Sequence, residues 1–274
     1  MCRLYGFRAT EPTKVECSLV YAQNALMLQS REDQAGLSHA DGWGVATYRD
    51  GTPHVERQAW AAYHGEHFRR AAARTYSRTV LAHVRRASVG SVALENTHPF
   101  VHGKWVFAHN GTLRAFEKIR RQMLDAMTPE HREAIQGRTD SEHVFHLLMS
   151  LHARCPDLAP LDILRIGLRQ VIEWSRQADA TSNIGLNVLM TDGEALVGAR
   201  WARTLWYVEQ RHVQDCEICG FPHIRHDPKV NYRAIVIASE PISHEDWIEV
   251  PDRSIFSLTP DMHLHVEPLE LATP

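Results

Sequence analysis

The sequence predicts an α+β fold built on mainly antiparallel sheets. Three observations carry that expectation. Strand-like segments come first, a pair of helices follows, and strands return towards the C-terminus. Hairpin signals such as Asp50-Gly51 and Asp192-Gly193 are frequent, and strand–helix–strand crossovers are few. No internal repeat and no Pro/Ser/Gly linker divides the chain, so residues 1–274 are expected to form one domain.

Taken in order, Arg3 to Ala9 alternates as a strand does and begins almost at the terminus, with Pro12 interrupting it. Val15 to Gln29 has apolar residues at Val15, Leu19, Val20, Leu26 and Met27, a helical period. Gly42 to Tyr48 reads as a strand with glycines where backbone must approach something closely, and Asp50-Gly51 returns it through His54 to Gln58. Glu66 to Arg74 reads as helix and Arg78 to Val84 as an apolar strand. Ala87 to Pro99, rich in Ser, Gly, Asn and Thr, reads as loop. Lys104 to Ala108 is a strand ending in His109-Asn110-Gly111, and Leu113 to Met127 is an amphipathic helix. Thr139 or Asp140 caps a helix running to about Leu151, and Leu161 to Arg176 supplies its antiparallel partner. Strands return at Ile184–Met190, Ala195–Ala199, Leu205–Val208 and Tyr232–Ala238, with an irregular segment from Gln214 to Lys229 before the last.

Composition narrows the function. The chain carries 30 basic against 33 acidic side chains, with no long block of either sign, so neither nucleic acid nor an anionic membrane is an expected partner. No apolar window approaches the roughly 20 residues of a membrane helix, and no signal-peptide core follows Met1-Cys2-Arg3-Leu4-Tyr5-Gly6-Phe7. A cytoplasmic, soluble protein is expected. The five cysteines form no disulfide ladder, so at least one thiol stays free, and Cys2 is the expected one.

Cys2 is one cleavage from being the N-terminal residue. Removal of Met1 puts an α-amine and a thiol on one residue, and the amine can take the thiol's proton without a histidine. Their unperturbed pKa values, near 8 and about 8.5, are matched. Further pieces follow in order: Leu81-Ala82-His83-Val84-Arg85-Arg86-Ala87-Ser88; Asn96-Thr97-His98-Pro99-Phe100 with Phe107-Ala108-His109-Asn110-Gly111; and Gly137-Arg138-Thr139-Asp140-Ser141-Glu142. With Asp41-Gly42-Trp43-Gly44-Val45-Ala46, they resemble the class II glutamine amidotransferases, the N-terminal-cysteine branch of the Ntn hydrolases. The resemblance spans residues 2 to about 150 by motif. It reaches about 240 through Ala234-Ile235-Val236-Ile237-Ala238-Ser239-Glu240-Pro241, which is similar to stand-alone members.

The resemblance implies a four-layer αββα sandwich and hydrolysis of a glutamine side-chain amide through a γ-glutamyl thioester. Cys2 would be the nucleophile and its own amine the base. Asn110 side-chain N–H and Gly111 backbone N–H would donate to the oxyanion. Arg85 would clamp the α-carboxylate with a fork that lysine lacks, and Asp140 would pair with the α-ammonium. Ser88, Thr97 and His98 are candidates to line the pocket. No cofactor is implied for the hydrolysis. The substrate is glutamine or a larger γ-glutamyl compound, and ammonia is either released or handed to a separate synthetase. Two features pull the other way. The arginine motif continues Arg86-Ala87-Ser88 where the family usually has Trp-Ala-Thr or Ala-Thr, and an attached Met1 would turn the Cys2 amine into an amide. Asn110-Gly111 is also a common turn dipeptide, and Asp140 could serve only as a helix cap. The rival reading is a non-catalytic glutamine-binding or zinc-bearing interaction subunit.

Cys216 and Cys219, a Cys-x2-Cys pair, precede His223 and His226. These are the residue types of a structural zinc site, although the two halves lie closer together than such sites usually place them. The alternative is a flexible surface loop.

Overall fold

Two antiparallel sheets lie face to face in the computed structural model, which describes residues 2–213, 215–224, 231–259 and 261–271. The early strands are β1 (Arg3–Lys14), β2 (Trp43–Arg49), β3 (Thr52–Gln58), β4 (Tyr76–Val84), β5 (Phe100–His102) and β6 (Trp105–Leu113). The later ones are β7 (Ile184–Thr191), β8 (Leu196–Arg200), β9 (Trp206–Gln210), β10 (Ala234–Ala238), β11 (Ile248–Glu249), β12 (Ser254–Leu258) and β13 (Leu264–Pro268). The helices are α1 (Leu26–Arg31), α2 (His67–Arg74), α3 (Phe116–Ala126), α4 (Pro129–Glu133), α5 (Asp140–Arg154) and α6 (Pro160–Ala178).

One sheet has the order β11-β9-β10-β1-β4-β2-β3 and the other β13-β12-β8-β7-β6-β5. Three apolar layers separate four structural ones. Leu4, Leu81, Ala108, Leu189, Ile237 and Phe256 fill the space between the sheets. Phe107, Val188 and Met190 turn the other way, against Phe145, Leu148 and Val171 of α5 and α6, with the Phe107 and Phe145 rings stacked at 5.4 Å. Trp43, Val80 and Val236 face Leu19, Leu26 and Phe68 on the far side of the first sheet. The alternation of each strand supplies both faces, as a sheet buried on two sides requires. This is the αββα sandwich.

Several boundaries differ from expectation. β1 runs through Pro12 to Lys14, because its pairing with β4 shifts register between Arg8 and Thr13, where a missing N–H costs no ladder bond. Val15 to Gln29 is not one helix. It forms a π turn, Cys17–Tyr21, and then α1. Asn24 breaks the run by donating its backbone N–H to Ile242 O at 3.3 Å and its side chain to Pro241 O at 2.8 Å. Tertiary hydrogen bonds there replace helical ones. Asp50 (φ 50°) and Gly51 (φ 74°) form the expected hairpin turn, both residues in the left-handed region that it demands.

Candidate active site

β1 and β4 are neighbours, and their pairing brings Arg3 opposite Val84. Cys2 therefore sits beside the end of β4, where Arg85 and Arg86 leave the sheet. Cys2 Sγ lies 3.4 Å from the Arg86 N–H and 3.5 Å from the Arg86 carbonyl. Burial pushes the thiol above its ordinary pKa, against the pull of the Arg86 amide and the Arg85 guanidinium. At neutral pH it is a thiol that needs a base.

Cys2, Arg85, Ser88, His98, Gly111 and Asp140 line one half-open pocket with a free volume of about 10 Å³. That is close to the smallest space that holds a water molecule. Arg85 is buried at the pocket wall, and its guanidinium donates to Ser91 O and Val89 O, each at 3.0 Å, and to Gly90 O at 3.4 Å. It thereby fixes the 89–91 backbone beside the pocket that Cys2 lines. Gly90 (φ 76°) permits the turn. Ser88 Oγ lies 2.8 Å from Thr112 Oγ1 at the pocket rim.

Asp140 opens α5, but Thr139 is the cap, its hydroxyl accepting the Glu142 N–H at 3.2 Å. The Asp140 carboxylate accepts the Leu113 N–H at 2.7 Å and the Ser141 N–H at 2.9 Å. Its position is thus fixed from both β6 and α5.

Asn110 and Gly111 lie within β6, paired with Asn187 and Leu186 of β7, and form no turn. A Cβ on Gly111 would stand 2.0 Å from Gly185 O and 2.5 Å from His109 Nε2, so the strand packing alone demands glycine. Asn110 does not line the pocket cavity itself. Its Nδ2 donates to Ser239 Oγ at 3.2 Å, while Oδ1 is buried without a partner. Ser239 Oγ already accepts the Leu4 N–H at 2.9 Å. Turning the Asn110 amide over lets the Ser239 O–H donate to Oδ1 and leaves Nδ2 as a free buried donor.

His98 is buried between His83 (ring centroids 4.2 Å apart) and Phe100 (4.6 Å), with both ring nitrogens unpartnered. Burial holds His83 and His98 well below the ordinary histidine pKa, so both are neutral. Gly44 makes room for this stack, since a Cβ there would meet His98 O at 2.2 Å. Thr97 is not in the pocket wall; its hydroxyl donates to Ala93 O at 2.9 Å.

Two supports were not anticipated. His109 lines the pocket and lies 2.8 Å from Ser141 Oγ and 2.9 Å from Gly185 O. Its place directly before Asn110 was the available signal. Arg3 donates to Cys2 O at 3.1 Å and pairs with buried Asp33 and Glu240, the latter at 2.6 Å; Asp33 in turn bonds His39 at 2.9 Å. No local pattern links those four residues.

Away from this pocket, Cys17, Cys216, Cys219 and His223 place their donor atoms within 4.8 Å of one another, a cluster that could hold a metal. Cys17 joins three of the four expected residues; the fourth, His226, lies outside the described residues, as does Met1.

An αββα sandwich with a cysteine at the head of its central strand defines the N-terminal-nucleophile class. The family model for class-II glutamine amidotransferases matches residues 1–260, and the chain belongs to that family, an enzyme of the amidohydrolase type. It is 27% identical to a probable glutamine amidotransferase of Saccharomyces cerevisiae, over 94% of this chain and 82% of that one. It is also 27% identical to a gamma-glutamyl-hercynylcysteine sulfoxide hydrolase of Mycobacterium tuberculosis, over 94% of this chain and 93% of the relative. A glutamine aminotransferase class-II domain protein from Silicibacter pomeroyi shares the fold at TM-score 0.66 and 21% identity, over 98% of this chain and all (100%) of the other. Glutamine phosphoribosylpyrophosphate amidotransferase of B. subtilis does so at TM-score 0.63 and 17% identity, over 98% of this chain and 49% of its own. No helix among the described residues is long and apolar enough to cross a membrane.

Proposed function

We propose that the protein hydrolyses the side-chain amide of glutamine or of a γ-glutamyl compound through a thioester on Cys2. The observation that carries this reading is the convergence of Cys2, Arg85, Asp140 and Gly111 on one pocket, from just before β1, just after β4, the start of α5 and within β6. A free glutamyl head offers a carboxylate, an ammonium and an amide carbonyl. Arg85 meets the first, Asp140 the second, and Gly111 N–H with Asn110 Nδ2 the third. Ser88 and His98 line the same space.

After Met1 is removed, the α-amine of Cys2 takes the Sγ proton as sulfur attacks the amide carbon. The carbonyl oxygen becomes an oxyanion held by Asn110 and Gly111. As the C–N bond breaks, the ammonium returns the proton to the leaving nitrogen, which departs as ammonia or an amine. The amine next takes a proton from water, hydroxide adds to the thioester, and glutamate leaves as the thiol is re-formed. Protein groups and water suffice, and no cofactor is proposed for these steps.

Residues 1–274 act as one amidotransferase domain in this reading, supported by β10 and β9 of the C-terminal half extending the sheet beside β1. Two relatives in which the match covers most of both chains carry amidotransferase or hydrolase names, which supports hydrolysis of a side-chain amide. Five free cysteines support a reducing, cytoplasmic setting. The test is release of ammonia or amine from glutamine and from γ-glutamyl amides by protein lacking Met1, alongside Cys2→Ala. Activity confined to the wild type is expected; equal rates would rule out the nucleophile.

A further inference from the structure

We propose that Cys17, Cys216, Cys219 and His223 form a closed four-coordinate zinc site that pins the 211–224 segment to the end of β1. The four donors come from two distant parts of the chain, so the fold rather than local spacing assembles them. All four lie within 4.8 Å of one another, and Cys219 Sγ is 3.4 Å from His223 Nε2. Tetrahedral zinc with Zn–S of about 2.3 Å and Zn–N of about 2.0 Å needs sulfur–nitrogen edges of roughly 3.5 Å.

The backbone around the pair is shaped for thiolates. Ile218 N–H points at Cys216 Sγ (3.4 Å), Gly220 N–H closes a turn onto Cys216 O (2.8 Å), and Cys216 N–H donates to Phe221 O (3.1 Å). Gly220 (φ 73°) supplies the left-handed residue that this turn requires. An amide aimed at a ligand sulfur is the outer-shell support metal thiolates need. All three cysteines are free thiols despite their proximity. Three sulfurs and an imidazole, with no carboxylate or open position among them, select zinc over hard cations and mark the site as structural.

The site's place in the fold gives it work to do. The described residues of 211–224 contain neither strand nor helix. They meet the body of the protein where the Lys14 N–H donates to His223 O at 2.9 Å, at the opposite end of β1 from Cys2. Cys17, Cys216 and His223 also line a cavity of about 640 Å³ between this segment, β9 and the 242–248 loop. Zinc would fix one wall of that cavity without touching the hydrolytic pocket.

The test is metal analysis of the untagged full chain purified without chelator, by mass spectrometry and by cobalt exchange. Stoichiometric zinc is expected, with a thiolate-to-cobalt absorption band after exchange. Cys17→Ser and Cys219→Ser should each reduce bound zinc to background, and His226→Ala should retain it. Cys219 is exposed, so its variant reads the site even if Cys17→Ser fails to fold. Absence of zinc from the wild type, zinc retained in Cys219→Ser, a disulfide between Cys17 and either partner, or zinc lost in His226→Ala but kept in Cys17→Ser would each overturn the assignment.

Discussion

Ser239 Oγ stands 3.2 Å from Asn110 Nδ2, and the same oxygen accepts the Leu4 N–H two residues along β1 from Cys2. One hydroxyl thus ties the oxyanion candidate to the strand that carries the nucleophile. Ser239→Ala should leave the Asn110 amide free to rotate. A positioning loss smaller than deletion of a donor, which costs ~3–4 kcal/mol, should lower kcat roughly tenfold with KM nearly unchanged. Steady-state kinetics on the folded variant decide this; a rise in KM alone would count against the link.

Arg85→Lys should raise KM by roughly ten- to a hundredfold, the equivalent of losing charge-assisted bonds of ~1.5–3 kcal/mol. A lysine cannot hold the Val89, Gly90 and Ser91 carbonyls and a carboxylate with one ammonium. The same variant should make the 88–92 loop more open to limited proteolysis. A fall confined to kcat would contradict the clamp.

Arg3 is the cation paired with two buried carboxylates, Asp33 and Glu240. Arg3→Met should destabilise the fold by about 3–5 kcal/mol, because it leaves buried charges unpaired. The denaturant midpoint measures this, and a change under ~1 kcal/mol would mean the cluster is far wetter than its burial indicates.

Gly111→Ala should fail on packing before chemistry is considered. A Cβ 2.0 Å from Gly185 O forces β6 and β7 apart, an overpacking cost of ~1–3 kcal/mol or more. A lower Tm checks it. A variant of wild-type stability would show that the strands separate easily.

Much of this architecture is legible in the sequence alone. Periodicity found α5 and α6, and the Asp50-Gly51 pair found the β2–β3 hairpin, because both signals are local. The order of Cys2, Arg85, Gly111 and Asp140 pointed to residues that line one pocket, since each sits at the end of, or within, a legible element, whereas Asn110 does not line it. What escaped was long-range. Cys17 reaches Cys216 and Cys219 only through the fold, and no spacing within the loop could point to it. Asn24 gives up helical bonds for partners at Ile242 and Pro241 that no window contains. The packing demand for glycine at 111, a clash with Gly185 on the neighbouring strand, is likewise invisible within any window.

Stability should fall as pH drops below the histidine range. Burial is the first cause that lowers His39, to about 4, with Arg3 adding to it against the pull of Asp33; burial also holds His83 and His98 well below the ordinary histidine range. The unfolded chain takes up protons near pH 6.5 that the folded one refuses, so stability is complete above about 6.5 and declines towards 4. Asp33 acts in the same direction lower down. Burial would raise it, but the Leu37 N–H, His39 and Arg3 outweigh burial and depress it, so its contribution is lost in stronger acid. Denaturation midpoints from pH 7 to pH 4 should fall steadily, and a flat profile would contradict neutral buried histidines.

The central claim is that Cys2, as the first residue of the processed chain, carries the glutamyl group. The most direct measurement is peptide mass mapping of enzyme acid-quenched during turnover of a γ-glutamyl substrate. The expected result is a γ-glutamyl adduct on the sulfur of a terminal Cys2, in peptides lacking Met1. Turnover by protein that retains Met1, or an adduct on Cys17, Cys155, Cys216 or Cys219 instead, would contradict it.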